Sequence, residues 1–194
     1  MNTIDCRGMA CPAPVITVKK ALEQVAELQV LLDDGAPREN VARFARNRGC
    51  RVSERQEAGG GWALTIAAGK ERATAAPASP PISGERVLLI TSNRLGDGPE
   101  ELGMLLMKNL IHTLLETSEL PSRMFFLNAG VFLTTEGSEV LEALEKLAGM
   151  GVEILSCGLC LDFFGRKDQL RVGATTNMLT TAEGLLAAAQ VIKL

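Results

Sequence analysis

The sequence has a single histidine, no long hydrophobic run and no excess of basic residues. His112 lies inside a predicted helix, so the sequence does not support a Cys-His dyad of the kind that proteases and acyltransferases use. No uncharged apolar run approaches the ~20 residues that a membrane-spanning helix needs. The formal net charge of -3 gives no reason to expect nucleic acid as a partner.

The amino terminus also lacks the features of a targeting segment. It begins with the polar Met1-Asn2-Thr3 and reaches Asp5 and Arg7 at once, which is typical of neither a signal peptide nor a transit peptide. We therefore expect a cytoplasmic protein. The five cysteines are an odd number in a chain without a secretion signal, which argues against a disulfide framework and favours thiol chemistry in a reducing compartment.

The most informative motif is Cys11-Pro12-Ala13-Pro14. Its two prolines lack backbone N–H donors and suit the first turn of a helix. Apolar residues then recur at the spacing of one buried helix face, namely Val15, Val18, Leu22 and Val25. Cys11 is therefore predicted at or next to the N-cap, where the helix dipole favours the thiolate and lowers the cysteine pKa from about 8.5. This position makes Cys11 a candidate nucleophile or sulfur carrier, and an apolar residue packed under a loop is the alternative.

A segment rich in proline, alanine and serine, residues 75–84, divides the sequence. Its composition predicts an extended linker, so we expect a first domain at 1–70, a linker at 71–84 and a second domain at 85–194. The first domain follows the order β-α-β-α-β-β, which predicts a small two-layer α/β sandwich. The predicted strands are 2–6, 28–33, 51–57 and 62–68, and the predicted helices are 12–26 and 37–48. Three glycines at 59–61 predict the turn of a hairpin.

The second domain contains continuous apolar runs, which are typical of strands buried on both faces. A helical pattern separates each of these runs from the next, so we predict a mostly parallel sheet with helices on both faces, a three-layer α/β domain. The predicted strands are 86–91, 124–127, 152–156, 170–172 and 191–194, and the predicted helices are 100–117, 137–149 and 178–190. Reactive residues of such sheets lie beyond the carboxyl ends of the strands, here at 92–97, 128–130 and 157–160.

A second thiol motif, Cys157-Gly158-Leu159-Cys160, follows the third of these strands. A Cys-x-x-Cys at a strand-to-helix junction is associated with redox or transfer chemistry, because the helix terminus stabilises a thiolate and the second thiol can resolve a mixed disulfide. A zinc site is a less favoured interpretation, since the remaining ligand candidates are Cys6, Cys11 and Cys50 of the other domain together with His112. An inert buried pair and a structural disulfide are further alternatives.

An apolar stripe in the helix predicted at 100–117 consists of Met104, Leu105, Met107 and Leu110. Its spacing fits one helix face, and we predict that this face packs against the core. A face directed at a partner is the alternative.

The run Asp5-Cys6-Arg7-Gly8-Met9-Ala10-Cys11-Pro12-Ala13-Pro14-Val15 resembles the TusA/SirA-like sulfur-carrier family over roughly residues 1–70. The second half resembles the DsrE-like family over about residues 85–194. Three segments carry the closer match, namely 95–98, 126–131 and 156–165. Together the two halves resemble a family of sulfurtransferase-like proteins that is linked to selenium metabolism and shares this domain order.

This resemblance implies that Cys11 accepts a persulfide from a cysteine desulfurase or another donor and passes it to an acceptor protein. A selenopersulfide in the same position would be the selenium counterpart. Either Cys157 or Cys160 would be the acceptor of the second domain, and Cys6 would either resolve Cys11 or pack. The resemblance implies no metal and no cofactor other than the transient persulfide, and it makes a homo-oligomer plausible. A thiol-disulfide oxidoreductase and a non-catalytic redox-sensing adaptor remain alternative functions.

Overall fold

The computed structural model describes residues 2–10, 12–57, 59–68 and 84–194. The chain divides into two compact units, residues 1–80 and 81–194, and each unit is a separate body of packed strands and helices. Of the linker predicted at 71–84, the described residues include Gly84. The rest of the linker lies outside the described residues, and so does Cys11. No helix in the described part of the chain is both long enough and apolar enough to cross a membrane.

The first unit has the predicted β-α-β-α-β-β order. Its elements are β1 (Asn2–Asp5), α1 (Ala13–Leu22), β2 (Glu27–Leu32), α2 (Ala36–Asn47), β3 (Arg51–Gln56) and β4 (Trp62–Ala67). The sheet order is β1-β2-β4-β3, in which β1 and β2 are parallel and β4 is antiparallel to both of its neighbours. The predicted hairpin between β3 and β4 is therefore confirmed, and Gly60 and Gly61 in its turn have positive φ angles.

Both helices of this unit pack on one face of the sheet. Val18 of α1 and Val41 of α2 are fully buried against Val30 and Leu64 of the central strands. The alternation of buried residues along β2 reflects the two-residue period of a strand with one covered face. The unit is thus the two-layer α/β arrangement predicted from the sequence.

Helix α1 ends earlier than predicted. It was expected to reach residue 26, but its last residue is Leu22. The N–H groups of Gln24 and Val25 both donate to the carbonyl of Ala21, which closes the helix and turns the chain into β2. Val25 still packs against the core from this turn, so its apolar character reflects burial without helix.

The second unit alternates strands and helices around a parallel sheet. Its elements are β5 (Arg86–Ile90), α3 (Glu100–Leu114), β6 (Arg123–Phe126), α4 (Leu141–Gly149), β7 (Glu153–Cys157), α5 (Gly158–Phe163), β8 (Ala174–Thr176), α6 (Met178–Ala187) and β9 (Gln190–Lys193), with short 3-10 helices at Asn128–Leu133 and Lys167–Gln169. The order β8-β7-β6-β5-β9 is parallel at every pairing.

The two faces of this sheet carry separate hydrophobic clusters. Met107 of α3 and Leu144 of α4 pack with Ile90 and Phe126 on one face. On the other face Phe125 packs with Leu185, and Gly184 of α6 lies so close to the Phe125 ring that a Cβ would come within 2.8 Å of it. Helices therefore cover both faces, as the sequence predicts.

The strand predicted at 170–172 is wrong. Leu170 forms an isolated bridge with Thr135, and Val172 is buried in the core from a loop. The strand β8 begins only after Gly173, which has a φ of 79° and lies against the Ile154 carbonyl. The apolar run thus reflects burial of a loop, and the glycine brings the chain onto the sheet edge.

The apolar stripe of α3 is also corrected. The buried line of the helix is Gly103, Met107 and Ile111, which recur every four residues. Met104 and Leu105 flank that line and are 49% and 53% exposed, so the prediction that they pack in the core is wrong. They line an open cleft of about 690 Å³ together with Phe132 and Arg166.

Replacing Gly173 should destabilise the second unit. In Gly173→Ala the new methyl group would meet the Ile154 carbonyl oxygen at 2.3 Å and would occupy a left-handed conformation, so we expect a loss of at least about 2 kcal/mol in the free energy of unfolding. Denaturant unfolding measures this. Gly149→Ala is the matched control, because a methyl group there meets open space. Equal stability of both variants would contradict the assignment.

Candidate functional site

The first candidate site lies at the start of α1. The helix begins at Ala13 and its N-cap is Pro12, which directly follows Cys11 in the sequence. The N–H groups of Val15 and Ile16 both donate to the Pro12 carbonyl, so the two prolines occupy the first turn as predicted. Cys11 itself, the predicted sulfur carrier, lies outside the described residues.

The loop between β1 and α1 is held by hydrogen bonds to β2 and the residue that follows it. The Cys6 N–H donates to the Leu31 carbonyl at 2.9 Å, and the Gly8 N–H donates to Asp33 Oδ2 at 2.6 Å. Asp5 accepts hydrogen bonds from both the backbone and the guanidinium of Arg7, which lowers the pKa of this carboxyl to about 2. The described part of the segment that leads to Cys11 is therefore anchored.

Cys6 lies in the core of the first unit. Its side chain is fully buried. Burial raises the pKa of the Cys6 thiol, and the charge of Asp5 raises it further. A buried neutral thiol is a poor nucleophile, so these features favour packing over a resolving role.

The second candidate site is the Cys-x-x-Cys motif at the junction of β7 and α5. Cys157 is the last residue of β7 and the N-cap of α5, and its side chain is buried. Cys160 is the third residue of α5 and is half-buried. The predicted junction is therefore confirmed, although Cys157 belongs to the strand that was expected to end before it.

Gly158 fixes the start of α5 against the neighbouring strand. A Cβ at this position would meet Thr175 Cγ2 at 2.9 Å and the Thr176 carbonyl at 3.4 Å. The next residue, Leu159, is 77% exposed. The two residues between the cysteines therefore face opposite surroundings.

A backbone N–H group contacts the more exposed thiol. The N–H of Asn128 donates to Cys160 Sγ at 3.1 Å. Asn128 has a φ of 48°, and among the described residues it is the one non-glycine residue with positive φ. Asparagine tolerates this left-handed conformation better than most residues. The sequence predicts that residues 128–130 lie at the sheet edge, but it predicts no contact for Asn128. An asparagine directly after the predicted strand 124–127 is the one signal for a left-handed residue at this position.

The environment of Cys160 favours its neutral form. Burial raises the pKa of the Cys160 thiol, and hydrogen bonding with Cys157 raises it further, whereas the Asn128 N–H lowers it. At Cys160, partial burial and the second thiol therefore oppose the thiolate that the sequence predicts at this motif.

Other loops at the same sheet edge form separate surfaces. The loop after β5 lines a polar cleft of about 420 Å³ with Arg94, Asp97 and Lys193, and neither cysteine lines it. Within the described ranges, no three histidine, cysteine or acidic side chains come together as metal ligands. The structure thus brings the Asn128 N–H to Cys160, whereas the loop after β5 lines a cleft of its own.

Comparison with known proteins identifies the first unit. The family model "Sulfurtransferase TusA" matches residues 2–68. The chain is also 44% identical over 55 residues to "Putative sulfur carrier protein MJ0990" of Methanocaldococcus jannaschii, which covers 27% of this chain and 73% of that protein. The chain belongs to the TusA family. The TusA match contains the Cys11-Pro12-Ala13-Pro14 motif and ends before the second unit.

Two solved structures are similar to parts of this chain. The SirA-like protein of Desulfitobacterium hafniense is 36% identical with a TM-score of 0.34, covering 36% of this chain and all of that one. A protein of unknown function from Methanobacterium thermoautotrophicum is 19% identical with a TM-score of 0.39, covering 57% of this chain and 99% of that one. Membership of the TusA family rests on the sequence matches.

Alkylation should distinguish the described thiols. Because its pKa is raised, Cys160 should react with iodoacetamide more slowly than glutathione near neutral pH, and its rate should still rise with pH where the rate of glutathione levels off. Cys6 should react only after unfolding, because it is buried. Peptide mass spectrometry measures both rates. A plateau of the Cys160 rate below pH 8 would contradict the description of its environment.

Proposed function

We propose that this protein carries sulfur as a cysteine persulfide and that Cys11 is the carrying residue. The observation that supports this most strongly is the TusA match over residues 2–68, which contains the motif at the start of α1. The relative from Methanocaldococcus jannaschii bears the name of a sulfur carrier protein. A thiol next to the start of a ten-residue helix has the electrostatic setting that favours a thiolate.

The proposed transfer involves no net oxidation. The Cys11 thiolate attacks the outer sulfur of a donor persulfide, the donor S–S bond breaks, and the donor cysteine leaves as a thiolate. Cys11 then carries the outer sulfur as a persulfide. The reverse reaction with an acceptor thiolate releases Cys11 and moves the same sulfur onward. No resident cofactor or metal is required, and a selenopersulfide would follow the same steps.

In the second unit we propose Cys160 as the acceptor and Cys157 as its partner. Cys160 is the more exposed of the two and receives the Asn128 N–H, which supports negative charge on its sulfur. Cys157 is buried, so a protein-bound persulfide cannot reach it as readily. The donor in this proposal is a cysteine desulfurase or another persulfide protein, and the final acceptor is a further protein.

The surface around Cys160 supports contact with a protein partner. Leu159 and Phe163 lie one residue before and three residues after Cys160 on α5, and they are 77% and 82% exposed. An exposed apolar rim excludes water when a partner docks, which suits exchange between two thiols. We propose that the persulfide-bearing partner docks on this rim. A homo-oligomer through the exposed Leu102 and Leu105 of α3 is a separate proposal for the same unit.

The order of the two units resembles that of YedF-like proteins, so we include selenium among the proposed cargoes and the cytoplasm as the proposed location.

A thiol-disulfide oxidoreductase is the second candidate function. The Cys-x-x-Cys spacing favours it, because Cys157 lies close enough to raise the pKa of the Cys160 thiol and the two thiols can form a disulfide. A redox-sensing adaptor would use the same pair without transferring sulfur.

Loading with sulfur tests the main proposal. The reduced protein is incubated with a cysteine desulfurase and either cysteine or selenocysteine, and intact and peptide masses are recorded. We expect a gain of one sulfur or selenium atom at Cys11 that DTT reverses and that Cys11→Ser abolishes. Cys50→Ser is the control, because Cys50 is a half-buried thiol that packs against the core of the same unit.

The outcomes separate the candidate functions. No gain at any cysteine, with the desulfurase active on another acceptor, would contradict sulfur carriage. A reversible disulfide between Cys157 and Cys160, with activity that survives Cys11→Ser, would favour the oxidoreductase. Loading of Cys11, with neither a sulfur gain nor a disulfide at Cys157 and Cys160, would confine the carrier role to the first unit.

The apolar rim should act in transfer and not in folding. Phe163→Ser should lower kcat/KM for sulfur transfer from a persulfide protein to Cys160 by at least about fivefold, because it removes an exposed apolar contact. Its alkylation rate with iodoacetamide should stay unchanged, since a small reagent needs no docking. Leu186→Ser on α6 is the control, because Leu186 is 87% exposed and lies on another helix. Equal effects of both variants would contradict the rim.

A further inference from the structure

Two buried hydroxyl groups lie behind the Cys157–Cys160 pair. Ser156 immediately precedes Cys157 in β7, and Thr134 follows the 3-10 helix Asn128–Leu133. Both side chains are fully buried, and their oxygens are 2.7 Å apart. The sequence gives no signal at Thr134, and Ser156 appears there only as the first residue of the segment 156–165.

The direction of the hydrogen bonds follows from the number of protons. The Thr134 hydroxyl donates to the Val131 carbonyl at 3.0 Å. Thr134 has one hydroxyl proton, so in the arrangement with this bond the Ser156 hydroxyl donates to Thr134 Oγ1. The result is a chain from Ser156 through Thr134 to Val131 that joins β7 to the 3-10 helix. Because a buried hydroxyl without a partner is costly, this chain favours one position of that helix.

The same 3-10 helix is held on a second side by β5. The Leu127 N–H donates to the Ile90 carbonyl at 2.9 Å. Gly130 lies so close to this carbonyl that a Cβ would come within 2.4 Å of its oxygen. The segment that begins at Asn128 is therefore fixed both by the hydroxyl chain to β7 and by close packing on β5.

The fixed segment carries a strained residue whose N–H reaches the thiol. Asn128 has a φ of 48°, and such a conformation persists where the surrounding structure determines it. Its N–H lies 3.1 Å from Cys160 Sγ. Cys160 and Ser156 both belong to the same strand-to-helix junction, so the hydroxyl chain links the segment that carries this N–H to the strand that leads to the sulfur.

We propose that Thr134 and Ser156 are positioning residues for Cys160, and that they act by holding the Asn128 N–H on its sulfur. This inference rests on the proposed role of Cys160 as the sulfur acceptor. Cys160 must lose its proton to attack an outer sulfur, and it becomes a thiolate again when a persulfide is passed on and its S–S bond breaks. In both steps the N–H stabilises the negative charge on Sγ. The titratable group that faces Cys160 is Cys157, whose thiol raises the pKa of Cys160.

Removal of the hydroxyl chain tests this role in the full chain. Thr134→Val keeps the shape of the side chain and removes its hydroxyl. We expect the iodoacetamide rate of Cys160 to fall about three- to tenfold near neutral pH, and its pH profile to move to higher pH. Thr134→Ser should restore both. Peptide mass spectrometry of the folded protein provides the measurement, and circular dichroism reports folding.

Thr135→Val is the matched control. Thr135 is equally buried and adjacent, but its hydroxyl donates to the Phe132 carbonyl at 3.4 Å and forms no bond to Ser156. If Thr134→Val does not fold, Ser156→Ala tests the same link, because it leaves the bond from Thr134 to Val131 intact. A change in Cys160 rate in either variant, absent from Thr135→Val, would support the proposal.

An unchanged Cys160 pH profile in folded Thr134→Val or Ser156→Ala would overturn the proposal and leave the hydroxyl chain a packing feature. The alkylation rate requires no sulfur donor. Failure of Cys160 to accept sulfur in the wild-type protein would therefore contradict the proposed function alone, whereas an unaltered alkylation rate would contradict the positioning role alone.

Discussion

The register of the parallel sheet in the second unit determines which residues meet at its carboxyl edge. Ile90, Phe126 and Ser156 lie side by side across three adjacent strands. The residues that directly follow them are therefore brought together, which places Asn128 within hydrogen-bonding distance of Cys160. A shift of one residue in the pairing would reverse which side chains face each helix layer and would separate the two groups. The thiol site thus depends on backbone pairing more than on any single side chain.

The sequence predicts the architecture well where burial and secondary structure coincide. The alternation of strands and helices and the position of the Cys-x-x-Cys follow from runs of apolar residues. The pattern misleads where burial occurs without regular structure, as at Leu170 and Val172, and where apolar residues stay exposed, as at Met104 and Leu105. A run of apolar residues indicates either burial in the core or an exposed apolar surface, and only the packing of neighbouring elements distinguishes the two.

The chemistry of the site was less predictable than its location. The sequence indicated a junction where a helix favours a thiolate, but burial and the second thiol outweigh that effect at Cys160. The Asn128 N–H, which lowers the pKa of Cys160, belongs to a segment distant in the sequence. Nearly every residue has a backbone N–H, so the residue type does not predict this contact. In the sequence, Cys11 directly precedes Pro12, the N-cap of a ten-residue helix within the TusA match.

The two residues between Cys157 and Cys160 are subject to opposite constraints. Gly158 is confined by the neighbouring strand, where Thr175 leaves no room for a side chain. Leu159 projects largely into solvent, so nothing in the fold requires it to be apolar. The spacer of the motif is therefore divided between the interior and the exterior of the molecule. Packing at the sheet edge requires a glycine at the first position. The fold places no such requirement on the second position, so contact with another surface would determine its side chain.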